Sequence, residues 1–296
     1  PTTAMEWPMS VMSSGRCLTV ALAVALSASA CAKAPPTEKG HKEPAMPEDT
    51  SQSRTVDGYT YTTAPVVAQL GPHRYAFPAN LYDDQIGPAI GGGVGLTLMW
   101  PELKAAAPGT RAGRSMADHH RAMSMSVDYI DGVPITELLG RMTSTDATSE
   151  EGSAYRKDPR RRLDMRTPGA EQFGLTPYAI DEARMVEFAQ AYEKQTGMPA
   201  KRNASVESDW YIARTPGGEL ATFIKCDKLQ EGRDSLTLKG DQVEIDESVP
   251  VSGCTHNFVD ADNDLSVTLS YPRVFLKDWK AIEAAARGVL SAYKVE

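Results

Sequence analysis

The chain has 296 residues, with 31 Lys and Arg against 39 Asp and Glu and a formal net charge of −8 at pH 7. A mildly acidic chain lacks the basic stripe that nucleic-acid binding requires, so we expect no nucleic-acid partner. The same charge is compatible with a basic protein partner.

The first element along the chain is a leader at residues 1–30. Arg16 precedes an uncharged apolar run, Cys17 to Leu26, and small residues follow as far as Ala30. A basic start, about ten apolar residues and a small-residue cleavage site are typical of a secretory signal peptide. The run is shorter than the ~20 apolar residues of a transmembrane helix. Residues 1–11 do not fit such a signal and lie upstream of it.

Cys31 directly follows the leader. The tetrapeptide Ala28-Ser29-Ala30-Cys31 resembles the lipobox of bacterial lipoproteins, although Ala28 stands where that family usually has Leu. In that family the cysteine is lipidated and becomes the mature N-terminus, so the resemblance implies a membrane anchor at Cys31. The alternative is an ordinary secretory signal that is followed by an incidental cysteine.

Residues 31–57 are rich in proline and charge and contain no aromatic residue. Such a composition cannot bury a core, so we predict a disordered tether. The folded region then spans residues 58–296, either as one domain or as two related halves, 58–169 and 170–296.

The folded region alternates strand patterns with a few helical ones. Apolar residues at every second position, bounded by turn residues, predict strands at 59–61, 91–100, 123–129, 209–215, 220–226, 235–238, 242–245, 254–259 and 265–271. Residues 73–80 and 173–180 also look extended. Helical spacing predicts helices at 135–142, 181–195 and 276–293. Because adjacent strands are joined by short turns, we predict an α+β fold with mainly antiparallel sheet and packed helices.

Two cysteines remain in the folded region. Cys226 and Cys254 each lie in a predicted strand of an exported chain, a setting in which disulfides persist. A disulfide between them is favoured over free thiols or a metal pair, since no companion ligands stand at zinc spacing. Its Cα atoms would have to lie within ~7 Å of each other.

A polar segment, 143–169, is predicted to be a long exposed loop. It contains the run Arg160-Arg161-Arg162. The run could be a functional basic patch, but a solvated face is the favoured interpretation.

The sequence contains no recognisable catalytic motif. The nucleophile elbow and the phosphate loop are both absent, and the glycines of 91–95 precede a strand rather than a helix. His119 and His120 are neighbours and chelate poorly together, and His256 is interpreted as a structural residue. Residues 260–271 fail the calcium-loop pattern at its sixth and twelfth positions. We therefore predict no enzyme activity, no cofactor and no metal.

Three stretches together resemble a known family. They are Tyr75–Tyr82 with Leu96–Leu103 (YAFPANLY and LTLMWPEL), Gly253–Phe258 (GCTHNF) and Leu276–Glu283 (LKDWKAIE). They resemble immunity lipoproteins that accompany lipase or phospholipase effectors of the bacterial type VI secretion system. The resemblance implies a non-catalytic periplasmic protein, anchored to a membrane, that binds and neutralises such an effector. Alternatives are an envelope-assembly or ligand-binding lipoprotein without a toxin partner, or a periplasmic hydrolase.

Polar loops on a rigid sheet are the candidate partner-binding residues. One set precedes the glycine run and one forms a turn between two predicted strands: Tyr82, Asp83, Asp84 and Gln85, then Asp260, Asp262 and Asp264. An acidic tip would fit the basic phosphate-binding pocket of a phospholipase as a substrate mimic. The alternative is that these loops are ordinary solvated turns.

Replacing Cys31 with Ser should release the protein from membranes, because the resemblance to a lipobox makes this cysteine the acylated residue. Membrane fractionation together with the intact mass of the protein measures the effect. A Cys31→Ser protein that stays in the membrane fraction, or a native protein without acyl mass, would contradict the prediction.

Overall fold

The structure, a computed structural model, describes residues 52–84, 87–204 and 207–295. The predicted signal peptide, Cys31 and the tether as far as Ser51 lie outside these residues. The strands are β1 (Ser53–Val56), β2 (Tyr59–Thr62), β3 (Pro65–Leu70), β4 (His73–Pro78), β5 (Val94–Met99), β6 (Ala122–Tyr129), β7 (Arg166–Pro168), β8 (Thr176–Ile180), β9 (Ser208–Arg214), β10 (Leu220–Asp227), β11 (Leu236–Lys239), β12 (Gln242–Ile245), β13 (Gly253–Asp260) and β14 (Leu265–Pro272). The helices are α1 (Met116–Arg121), α2 (Leu138–Met142), α3 (Glu182–Thr196) and α4 (Trp279–Tyr293).

Eight strands form one antiparallel sheet in the order β5-β6-β14-β13-β10-β9-β8-β7. Three hairpins, β1-β2, β3-β4 and β11-β12, lie outside it. The predicted α+β fold with antiparallel sheet is confirmed. Because β6 pairs with β14, residues 58–169 and 170–296 contribute to the same sheet. No helix in the described ranges has the length and apolar character that crossing a bilayer requires.

The first hairpin begins inside the segment predicted to be disordered. β1 and β2 pair through Asp57 and Gly58, whose φ angles of 52° and 82° are both positive. Positive φ at both central residues is what a tight type I′ hairpin turn requires, and Asp-Gly favours that turn. The prediction of disorder is therefore wrong for residues 52–57, because the turn chemistry orders a hairpin that needs little apolar surface of its own.

One face of the sheet carries the main core. Every second residue of its strands is buried there, as the period of a half-exposed strand predicts. On β5, β6 and β14 these residues are Val94, Leu96, Leu98, Met123, Met125, Val127, Leu265, Val267 and Leu269. Helix α4 covers this face with Trp279, Ile282, Ala286 and Leu290 buried, as its helical spacing predicts. The β3-β4 hairpin packs beside it, where Phe77 meets Tyr293 edge to face.

A buried polar network joins α4 to the sheet. Glu283 on α4 accepts hydrogen bonds from the hydroxyl of Thr222 at 2.7 Å and from Nε2 of His256 at 3.0 Å. Arg287 donates to its other oxygen at 2.8 and 3.0 Å. On the far side of the imidazole, Tyr271 lies 3.1 Å from Nδ1. A neutral His256 that donates from Nε2 and accepts from Tyr271 satisfies every partner, which confirms a structural role for this histidine.

The predicted disulfide is present. Cys226 of β10 and Cys254 of β13 face each other in register, with Cα atoms 4.0 Å apart. The bridge therefore links two central strands that are already hydrogen-bonded, on the same face of the sheet as Ile224 and His256.

The opposite face of the sheet is covered over β9 and β10 and in part over β8 and β13. There Trp210, Ile212 and Phe223 pack against Leu139 of α2. The segment that follows α2 closes over them, and its Arg166 lies with the guanidinium carbon 4.0 Å from the centre of the Trp210 ring.

The run Arg160-Arg161-Arg162 is not the solvated face that the sequence favoured. Arg160 pairs at 2.8 Å with Asp158, whose side chain is fully buried. Arg162 is itself 8% exposed and pairs with Asp146 and Asp164. The prediction of an exposed loop is wrong because Asp158 and Arg162 are buried, and their ion pairs with partly exposed partners compensate these charges within the segment. Arg161 alone keeps a largely exposed side chain.

Folding stability should fall as the pH drops from 7.5 to 5.5. Burial lowers the pKa of His256 below 6.5, even though Glu283 acts in the opposite direction. The unfolded chain therefore takes up a proton near pH 6.5 that the folded chain binds only at lower pH, so stability is lost as the pH falls through this range. Urea unfolding at a series of pH values measures the slope.

The control for this pH dependence is a His256→Asn variant, which should lose part of the slope. His120, whose pKa is also lowered, contributes to the slope of both proteins, so the difference between them is the quantity to compare. An NMR titration of the native imidazole gives a second measurement. A normal titration of His256 near pH 6.5 in the folded protein would contradict the prediction.

Candidate functional site

Tyr82 belongs to the core and not to a binding loop. Its side chain is 2% exposed, its ring meets Phe77 edge to face, and its hydroxyl donates to the carbonyl of Val66 at 3.1 Å. Burial, and then the charge of Asp84, raise the pKa of Tyr82 to about 12. The prediction that Tyr82 contacts a partner is wrong, because an aromatic ring beside the first strand of the sheet is more stable inside the hairpin core.

Asp83 lies against the open face of the sheet. Its backbone N–H donates to the carbonyl of Gly95 at 3.0 Å, which adds the chain to the edge of β5. A Cβ atom at Gly95 would stand 2.7 Å from both carboxylate oxygens of Asp83. The carboxylate therefore occupies the space that a side chain would fill on this face.

Asp128, near the end of β6, occupies the neighbouring position. A Cβ atom at Gly93 would stand 2.4 Å from its Oδ1 atom. Gly93 and Gly95 are two residues apart, and such residues share one face of an extended chain. The glycine run thus leaves room for two carboxylates side by side, which is a use of these glycines that sequence reasoning missed. In the sequence, Asp128 stands at a solvent-facing position of an alternating strand, and this position could have identified it as a surface carboxylate.

The turn between β13 and β14 lies at the same end of the sheet. Asp260 pairs with Leu265, and Leu265 pairs with Tyr129 at the end of β6. The carbonyl of Asp264 accepts from the N–H of Ile130 at 2.9 Å. Asp262 is at the tip and exposed. The segment forms a hairpin turn, as predicted.

We call this region the acidic end, defined as Asp83, Asp128, Asp260, Asp262 and Asp264. In the sequence, the two predicted acidic loops are far apart and show no relation to each other. The pairing of β5, β6, β14 and β13 brings both loops to one end of the sheet. Lys294 donates to the Asn263 amide oxygen within the turn.

A polar surface continues from the acidic end across the open face of β5, β6 and β14. Small hydroxyl side chains line it: Thr97, Ser124, Ser126, Ser266, Thr268 and Ser270. Small side chains on paired strands give a flat surface that offers hydroxyl groups for hydrogen bonds to a partner. Chemically this region can bind cations or a basic protein surface, and it holds no nucleophile-base pair.

Asp84 does not belong to the acidic end. Asp84 accepts from the N–H of Gly87 at 3.3 Å and lines a recess of about 510 Å³ together with Arg111. Gln85 lies outside the described residues. His119 and His120 lie on α1 with ring centroids 6.1 Å apart, in an edge-to-face arrangement. Within the described ranges, no three His, Cys, Asp or Glu side chains are placed to hold a metal ion.

Comparison with known proteins yields one informative match. No protein-family model matches the chain, and no curated protein is found to be similar in sequence. Among solved structures, the chain is similar to that of Smlt3025, an immunity protein of the Stenotrophomonas maltophilia type IV secretion system. The two are 47% identical with a TM-score of 0.77, over 83% of this chain and 99% of that chain.

Substituting Gly95 with Ala should destabilise the protein by about 1–3 kcal/mol, because the new methyl group overlaps the Asp83 carboxylate. In an Asp83→Ala background the same substitution should cost much less, since the overlap is gone. Urea unfolding of the four proteins gives the coupling energy directly. Gly132→Ala, where no atom lies within 4 Å of the new Cβ, is the matched control. Strictly additive effects would show that Asp83 does not lie over Gly95.

Proposed function

The chain belongs to the same family as Smlt3025, and from this premise we propose that it is an immunity protein that binds and neutralises a secreted effector in the periplasm. The observation that carries the proposal is the match itself, which extends over 99% of a protein named for that role at 47% identity. The resemblance of three separate sequence stretches to immunity lipoproteins supports the same role independently.

The route by which the effector arrives is a finer part of the proposal. The relative is an immunity protein of a type IV system, which favours an effector of that route. The sequence stretches resemble partners of type VI lipases and phospholipases, which makes a phospholipase the first effector class to test and type VI delivery the second route. Lipidation at Cys31 would hold the protein at the membrane whose lipids such an effector attacks.

We propose that inhibition is by binding alone, through the acidic end. Five carboxylates on a rigid sheet end create a negative potential that attracts a basic surface and accelerates association. The flat hydroxyl-lined face beside them offers polar contacts, and hydrogen bonds from a partner would compensate the desolvation of these hydroxyl groups. A basic phosphate-binding pocket on a phospholipase has the complementary charge.

The immunity function is tested by measuring whether the protein protects a sensitive host and whether it binds the effector directly. The secreted effectors encoded beside this protein, and those of the cell's type IV and type VI systems, are expressed in the periplasm of a sensitive host with and without it. Wild-type protein should restore growth against one effector and bind it directly. If the protein protects the host against none of these effectors, the immunity function is contradicted.

The acidic end is tested by Asp83→Asn with Asp262→Asn. These changes preserve shape and should weaken binding of the cognate effector by about tenfold, mainly through slower association that is less sensitive to salt. Asp241→Asn with Glu247→Gln removes the same charge from exposed positions elsewhere and should leave binding unchanged. If both double variants bind the effector with equal affinity, the acidic end is not the binding surface. That result would not affect the proposed immunity function.

A further inference from the structure

Phe173 combines a strained backbone with an exposed aromatic ring. It is the first central residue of the two-residue turn between Gln172 and Leu175, which exchange backbone hydrogen bonds at 2.8 and 2.9 Å. The φ angles of Phe173 and Gly174 are +57° and +79°, the pattern of a type I′ turn. Asn, Asp or Gly usually occupies the first central position of such a turn, because a bulky residue with positive φ is strained.

The ring of Phe173 gains no burial that would offset this strain, since the residue is 57% exposed. Two contacts fix the turn that carries it. Nε1 of Trp279 donates to the Phe173 carbonyl at 2.9 Å, and a Cβ atom at Gly174 would stand 2.7 Å from Nζ of Lys280. The turn is thus held against the start of α4 and presents the ring from a fixed backbone. Such a preorganised side chain loses little conformational entropy when a partner binds it.

A largely apolar recess of about 300 Å³ lies beside this ring, and we call it the apolar recess. Phe173 forms one wall, and Leu229, Leu236, Val274 and Leu276 supply most of the remaining lining. Leu229 is exposed, whereas Leu236 and Leu276 are buried. An apolar cavity of about 150 Å³ accommodates a benzene ring. The apolar recess therefore has room for a phenyl ring of a partner.

The apolar recess also carries one charge of each sign. Oδ1 of Asp234 accepts from the N–H groups of Leu236 and Ser252, both at 3.2 Å. Lys277 lines the apolar recess with an exposed side chain. Neither Asp234 nor Lys277 forms an ion pair with another residue of the described ranges. A partner that brings a lysine and a carboxylate to complementary places would pair with both charges.

We propose that a second copy of this chain occupies the apolar recess in a symmetric dimer. The surface involved, which we call the Phe173 patch, consists of Phe173, Leu229, Asp234, Leu276 and Lys277. It carries both halves of its own complement, a ring beside a recess and a carboxylate beside an ammonium group. A two-fold axis through the patch places the ring of each copy in the recess of the other and Asp234 of each copy near Lys277 of the other.

The Phe173 patch and the acidic end lie at opposite ends of β14. The turn 260–264 directly precedes Leu265, the first residue of this strand, and the segment Arg273–Asp278 directly follows its last residue, Pro272. A strand of this length spans about 24 Å. A dimer through the Phe173 patch therefore leaves both acidic ends accessible. The proposal is independent of the immunity function and compatible with it.

Self-association is measured by sedimentation velocity of the full chain carrying Cys31→Ser, which has no acyl chain through which to associate. The fraction of dimer should rise between about 1 μM and 100 μM protein. Adding Phe173→Asn should weaken the association by tenfold or more, because the ring is lost. The same change should raise the melting temperature of the monomer, because Asn suits the turn better than Phe does.

A second variant blocks the apolar recess and leaves the ring in place. Leu229→Asp puts a charge among apolar side chains and should also weaken association by tenfold or more. A mixture of the Phe173→Asn and Leu229→Asp proteins should associate more strongly than either protein alone, because one ring and one open recess remain to face each other. Lys277→Glu should weaken association too, since it places a carboxylate opposite Asp234.

The matched control is Tyr59→Asn, which removes a 71% exposed aromatic side chain outside the Phe173 patch and should leave association unchanged. Thermal melting shows whether each variant is folded. A protein that stays monomeric up to 100 μM, or an association that Phe173→Asn does not weaken, would overturn the proposal. A mixture that associates no better than its components would overturn the two-fold arrangement. A monomeric protein whose protection against the effector is lost with Phe173→Asn would show that the patch binds the effector instead.

Discussion

The carboxylate of Glu283 is the contact on which the two main layers depend. Its side chain is 13% exposed, and three elements donate to it: Thr222 of β10, His256 of β13 and Arg287 of α4 itself. A buried charge is costly unless all its hydrogen bonds are made, so only one placement of α4 on the sheet satisfies it. The surrounding apolar contacts supply most of the stabilisation, while this network specifies position.

The same placement sets the geometry of the rest of the molecule. The chain leaves α4 beside β4, where the N–H of Val295 donates to the carbonyl of Arg74 at 2.9 Å. The β3-β4 hairpin is thereby held against the helix, and the chain that follows it places Asp83 over the edge of β5. The acidic end is thus built by a rigid sheet and a helix that lie far from it along the chain. Functional side chains on such a frame need little reordering when a partner binds.

Two neighbouring aspartates face different surfaces. Asp83 turns to the open face of the sheet and joins the acidic end, whereas Asp84 faces the recess that contains Arg111. The acidic end suits a basic protein surface, whereas the recess pairs an aspartate with an arginine.

The sequence by itself determined the secondary structure where local patterns are strong. Alternation predicted most strands of the sheet, helical spacing predicted α3 and the apolar stripe of α4, and two strand cysteines in an exported chain predicted the disulfide. The resemblance of three short stretches predicted an immunity protein, and the match to Smlt3025 supports that level of description. The leader and Cys31 remain predictions because they lie outside the described residues.

Only the tertiary structure decided which distant residues meet. The pairing of β6 with β14 brings Asp128 beside the turn at Asp260–Asp264, and no local pattern encodes a contact across so many residues. Tyr82 and Arg162 were expected at the surface because their neighbours are polar, yet partners elsewhere in the chain bury both. The recess beside the first hairpin drew no attention in the sequence, since it exists only once Gly109 has brought its wall against Tyr61 and Val56. Burial and pairing are properties of the packed chain, so these sites follow from the fold and not from the order of residues.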